Sequence, residues 1–163
     1  MATSRIEGDQ YFAGNVEFKA ITLNSGAVTN AMVNSSAAIA TTKMRHRHNL
    51  VYNQNGTAAT ETVPIFICSG AVGEIVSIKA ATIAACSGAA TITIDLKKGG
   101  TTCLSSVITL DNANTARTSE AGTLSVTTLA VGNFLELVVT ATAGGGTLGT
   151  GLIVEVVVDE DAN

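Results

Sequence analysis

Both histidines of the chain, His46 and His48, stand two apart in TTKMRHRHN, residues 41–49, interleaved with Arg45 and Arg47 and preceded by Lys43. In a strand, residues two apart point the same way. A His-x-His pair can then offer two imidazoles to one metal ion. A metal needs further ligands, however, and the flanking guanidinium groups raise the local positive potential. The stretch therefore reads as a set of polar and ionic contacts, with no metal or other cofactor expected. Arg45 and Arg47 suit charge-assisted, two-pronged hydrogen bonds to carboxylates. The expected partner is an acidic protein surface. Nucleic acid is not expected: three cations without interleaved aromatic residues make a small footprint, and the rest of the chain is acidic.

The remaining reactive residue types are sparse. Asp159, Glu160 and Asp161 close the last apolar run without the intervening glycine turn of a calcium loop. They read as a solvated terminus. Cys68, Cys86 and Cys103 include no C-x-x-C pair and are odd in number. They read as small buried or neutral thiols. No Gly-x-Ser-x-Gly elbow occurs, and both histidines lie far from any serine or cysteine context. An acid–base or nucleophilic enzyme is hard to assemble from this set, so no catalytic residue is assigned. The glycine-rich ATAGGGTLGTG lacks the Gly-Lys-Ser/Thr ending of a phosphate cradle.

Charge is unevenly distributed. Residues 1–48 carry Arg5, Lys19, Lys43, Arg45 and Arg47 against Glu7, Asp9 and Glu17, a balance of +2. Residues 49–163 carry Lys79, Lys97, Lys98 and Arg117 against ten acids, a balance of −6. Two segments of opposite sign suggest two tasks, a basic arm (1–48) and an acidic body (49–163). Charged residues make up only 13% of the chain against 46% hydrophobic, below the usual quarter. Such a surface is expected to be partly covered by copies of the chain or by a partner. The polar start MATSRIEGDQ is unlike a signal peptide. No apolar run approaches the roughly 18 residues of a membrane helix, so no membrane partner is expected.

The body must position these groups with strands. NLVYNQ (49–54), TVPIFIC (62–68), GEIVSIKAATI (73–83), ATITIDLK (90–97), TCLSSVITL (102–110), GTLSVTTLAV (122–131), NFLELVVTAT (133–142) and GLIVEVVVDE (151–160) are short β-branched runs. Gly, Ser and Asn separate them, and no helical period lies between them. This predicts an all-β, antiparallel jelly roll or β-sandwich. In 91–97, Ile92, Ile94 and Leu96 alternate with Thr91, Thr93, Asp95 and Lys97. In the last two runs, Phe134 and Val138, and likewise Ile153 and Val157, lie opposite the main apolar face. One sandwich needs one apolar face per strand. These four are therefore candidate oligomer-interface residues.

The arm is expected to hold an extended strand, NVEFKAITL (15–23), and a short helix, SAAIATTKM, capped by Asn34 or Ser35. Ile39 and Met44 are that helix's few apolar contacts. So short a helix is marginal alone, and the arm is expected to order against something else.

The stretch GAVTNAMVNSSAAIATTKMRHRH resembles an element near the N-termini of tailed-bacteriophage structural proteins. The body, from VGEIVSIKAATI to GLIVEVVVDE, is similar to the jelly-roll module of phage head decoration (cement) and head-fibre proteins. The resemblance implies a homotrimer on the outer surface of an icosahedral capsid, clamping major capsid protein subunits. It matches Lys43, Arg45, His46, Arg47 and His48 to a basic tail that meets the shell. With Ile39 and Met44 these form the candidate capsid-binding set. Two alternatives are a host-glycan-binding adhesin, for which the aromatic residues are few, and a tail or baseplate accessory protein.

Overall fold

The computed structural model describes residues 45–161, and no helix occurs among them. The strand expected at 15–23 and the short helix after it lie outside the described residues. Ten strands follow in order: β1 (Arg45–Thr57), β2 (Glu61–Ile67), β3 (Val72–Ala81), β4 (Thr91–Lys98), β5 (Thr101–Thr102), β6 (Ile108–Leu110), β7 (Glu120–Ala121), β8 (Thr128–Ala130), β9 (Phe134–Thr142) and β10 (Thr150–Asp161). The first sheet runs β1-β10-β3, with β7 and β8 both on the far side of β3; the second runs β2-β9-β4, with β5 and β6 both on β4. Every ladder among the described strands is antiparallel. With β5/β6 and β7/β8 each counted as one interrupted strand, this is the eight-stranded, two-sheet order of a jelly roll.

Alternation places the core. Ile92, Ile94 and Leu96 of β4 meet Leu135, Leu137 and Val139 of β9, and across the sandwich Ile78, Leu152, Val154 and Val156, all buried. In β3 the inward residues Ile75 and Ile78 are three apart rather than two. A bulge absorbs the difference: Ile75 pairs with Val158 and Ser77 with Val157, leaving Val76 over.

Two expected strands are broken. Over 102–110, Cys103 and Leu104 are both buried, and consecutive inward residues are incompatible with a period of two. The chain bends there and resumes as β6. Over 122–131, Gly122 lies so close under β3 that a Cβ would sit 2.8 Å from Ile78 Cγ2. The chain passes this point as a loop between β7 and β8.

β1 and β2 are the outer strands on one side of the sandwich. β2 carries Pro64, the only proline of the chain, beside a register shift. Both features suit an edge, where a missing N–H breaks no ladder. Arg45–His48, expected to belong to the arm, are part of β1.

Candidate functional site

The sequence of β1 divides at its middle. Leu50 and Tyr52 face inward against the core. Arg45, His46, Arg47 and His48 pair instead with Asp161, Glu160, Asp159 and Val158 of β10. The basic stretch and the closing acids thus lie side by side, because the first and last long strands of this topology are neighbours. Asp159 and Glu160 are 7% and 8% exposed, which overturns the expectation of a solvated terminus. Their burial is tolerated because each is partnered.

Arg47 donates from Nε to Asp159 Oδ1 (2.7 Å) and from a terminal nitrogen to Oδ2 (2.8 Å), the two-pronged geometry its planar head favours. Arg45 donates to Glu74 Oε2 (2.9 Å), with Asp161 and Asp159 3.6 and 3.7 Å away. Glu160 Oε1 accepts the backbone N–H groups of Ser69 (2.7 Å) and Gly70 (3.0 Å). His48 Nε2 is buried 3.0 Å from Glu160 Oε2 but out of line for a hydrogen bond. Its ring leans on Phe66 of β2, with centroids 5.4 Å apart.

The electrostatics follow these contacts. The hydrogen bond to Glu74 raises the Arg45 pKa, and the pair with Asp159 raises that of Arg47. The Arg47 hydrogen bond holds Asp159 below the usual carboxylate range. Burial pushes Glu160 up, but the amides of Gly70 and Ser69, the Cys68 thiol and His48 together outweigh it and leave Glu160 below its ordinary value.

Of the other candidate capsid-binding residues, Ile39, Lys43 and Met44 lie outside the described residues. The interface candidates are not brought together. Phe134 and Val138 are on the outer face of the second sheet, Ile153 and Val157 on that of the first. Ile153 and Phe134 are exposed, while Val138 and Val157 are half-buried. Neighbours missed by sequence reasoning complete each patch. Val51 shares one shallow depression with Ile153, Lys79 and Glu155, and Ile83 shares a second with Ile153. Ile67 pairs directly with Phe134, near Val131 in the preceding turn. Alternation of β1 around Leu50 and Tyr52 was the available signal for Val51.

A cleft of about 380 Å³ opens between the β1 and β2 edges, lined by Leu50, Tyr52, Val63, Ile65, Leu137 and neighbours. Its one ionisable lining group is the Tyr52 phenol. All three thiols are free and buried, and burial pushes Cys68 and Cys103 up. Among the described residues, no three His, Cys, Asp or Glu side chains are grouped to hold a metal ion.

No protein-family model matches the chain, and no curated protein matches it. Among solved structures it is similar to a chain of the cyanophage Pam1 capsid asymmetric unit. That match has a TM-score of 0.51 and 15% identity, covering 83% of this chain and 99% of that one. A chain from the structure of infectious bursal disease virus, Gt strain, matches at a TM-score of 0.30 and 12% identity, over 90% of this chain and 41% of that one. The cyanophage likeness is one of fold; the second, at that score, carries no further argument.

Proposed function

We propose that this chain is a structural virion protein that sits on the outer surface of a phage capsid as a homotrimer and cements contacts between major capsid subunits. The observation that carries the reading is the jelly-roll order of the two sheets, matched along nearly the full length of a chain from a cyanophage capsid asymmetric unit. The surface agrees with it. Val51, Ile153 and Ile83, 57%, 47% and 56% exposed, form an apolar patch on one sheet, and Ile67 and Phe134 form another at one end of the opposite sheet. A ring uses a head-to-tail contact, in which two different patches of each copy meet. Two unlike patches suit that arrangement better than a single self-matching face.

Arg45 and Arg47 are already engaged by the chain's own acids, so their part is to fix the root of the N-terminal segment. Contact with the shell then falls to Ile39, Lys43, Met44 and the exposed His46. Three linked segments convert weak single contacts into avid binding. Native mass measurement of the full chain and co-sedimentation with undecorated capsids test the reading. Expected are a trimer and saturable binding, with Lys43→Ala lowering occupancy while the trimer persists. A monomer at every concentration, with no capsid binding, would refute it.

A further inference from the structure

The charged end of β1 is held asymmetrically. Its partner β10 has two other supports. β3 pairs Ile75, Glu74 and Gly73 with Val158, Asp159 and Glu160. The turn at 69–71 sends the Ala71 N–H to the Asp161 carbonyl (3.1 Å) and those of Ser69 and Gly70 to Glu160. The turn sits tightly enough that a Cβ on Gly70 would run into the Asp161 carbonyl. Among the described residues, β10 is the one strand that pairs with residues 45–48, and the His48 ring also leans on Phe66 of β2. Arg45, His46 and Arg47 are exposed, whereas Leu50 and Tyr52 pack on the core.

We propose that the cluster is an acid-released latch: the carboxylates of Glu74, Asp159, Glu160 and Asp161 hold Arg45–His48 in β1. Neutralising them lets these four residues peel from β10 while the sandwich stays folded. The segment leading into the sandwich then lengthens by about 13 Å, four residues of extended chain. The groups that meet here are Arg45, His46, Arg47 and His48 from β1, Asp159, Glu160 and Asp161 from β10, Glu74 from β3, and Cys68 before the turn. Asp159 and Glu160 have lowered values in the fold. Their contribution is therefore complete above the ordinary carboxylate range and is lost as pH falls through the lowered values, below about pH 4. The arginines stay charged throughout, so the carboxylates set the release. The latch does not depend on the capsid reading.

Hydrogen exchange of the full chain, corrected for intrinsic rates and followed by mass spectrometry, tests it. In Asp159→Asn/Glu160→Gln at pH 7, amides 46–48 are expected to lose protection about tenfold, with 50–54 and 152–156 unchanged. The wild type acidified through the lowered carboxylate values is expected to show the same pattern, and Asp159→Glu should restore part of the protection. Tryptic cleavage after Arg47 is expected to quicken in parallel. Should the double variant not fold, Glu74→Gln/Asp161→Asn replaces it, since both carboxylates are exposed and can be neutralised without leaving a buried group unpaired. Unchanged protection at 46–48 would overturn the proposal, as would loss spread evenly over β1 and β10.

Discussion

The middle rows of the two outer faces of the sandwich differ in how much apolar surface they leave uncovered. On the second sheet, Thr91 and Thr93 of β4 pair with Thr142 and Thr140 of β9, and Thr93 pairs with Thr109 of β6. Lys97 lies against Glu136 in the same ladder. On the first sheet, the corresponding rows are Val51–Glu155–Lys79 and Asn53–Ile153–Ala81. Threonine and valine are both branched at Cβ, and both suit an extended backbone. The hydroxyls of Thr91, Thr93, Thr140 and Thr142 keep the middle of the second face hydrated, while Val51 and Ile153 leave apolar surface uncovered on the first. Strand formation and surface stickiness are thus set by different atoms of the same positions.

Leu137→Ala should have the largest effect, because Leu137 lies between the two faces in a fully buried layer. A loss of about 2–5 kcal/mol in urea or thermal unfolding is expected, and it should be blind to which face binds a partner. Ile153→Asp separates the faces. The full chain should shift towards monomer in native mass measurements while its melting temperature stays close to that of the wild type. An unchanged mass would remove the first-sheet face from the contact. Thr93→Val/Thr140→Val converts part of the second face towards the first. Stability should stay within about 0.5 kcal/mol, as for most surface changes, with added self-association at high concentration read by light scattering.

The sequence showed some of this directly and hid the rest for physical reasons. β4 is legible because Ile92, Ile94 and Leu96 alternate without interruption. β3 is less so, since the bulge at Val76 breaks the period that alternation relies on. The breaks after Thr102 and Ala121 depend on what lies across the sandwich, and β-branched composition alone extends both strands too far. The ion cluster was half visible. Both charged stretches stand out, yet Arg47 and Asp159 are 112 residues apart, and only the neighbouring positions of β1 and β10 bring them together. The sequence points the basic stretch at an acidic partner on another molecule, and for Arg45 and Arg47 the fold itself supplies acids of that chemistry. Phe134, Val138, Ile153 and Val157 were correctly placed off the inner face, but alternation within a strand does not say which sheet the strand joins.

The smallest effect expected lies at the corner that carries the chain from one sheet to the other. Gln54 accepts the Ala59 N–H (2.9 Å) and donates to the Ala59 carbonyl (3.0 Å) and to the Tyr52 hydroxyl (2.7 Å). Tyr52 donates in turn to Glu61 Oε2 (2.6 Å). Desolvation, then the hydrogen bond to Glu61, push Tyr52 up to about 12. A raised value means that the fold prefers the neutral phenol. Its contribution is complete below the ordinary tyrosine value of about 10 and disappears as pH rises from there towards 12. Ultraviolet titration of Tyr52, identified by Tyr52→Phe, should show the late transition. Glu61→Gln should bring it only part of the way down, because desolvation, the larger cause, remains. A full return to about 10 in Glu61→Gln would mean that the carboxylate alone protects the phenol, and that the cleft between β1 and β2 admits water freely to Tyr52.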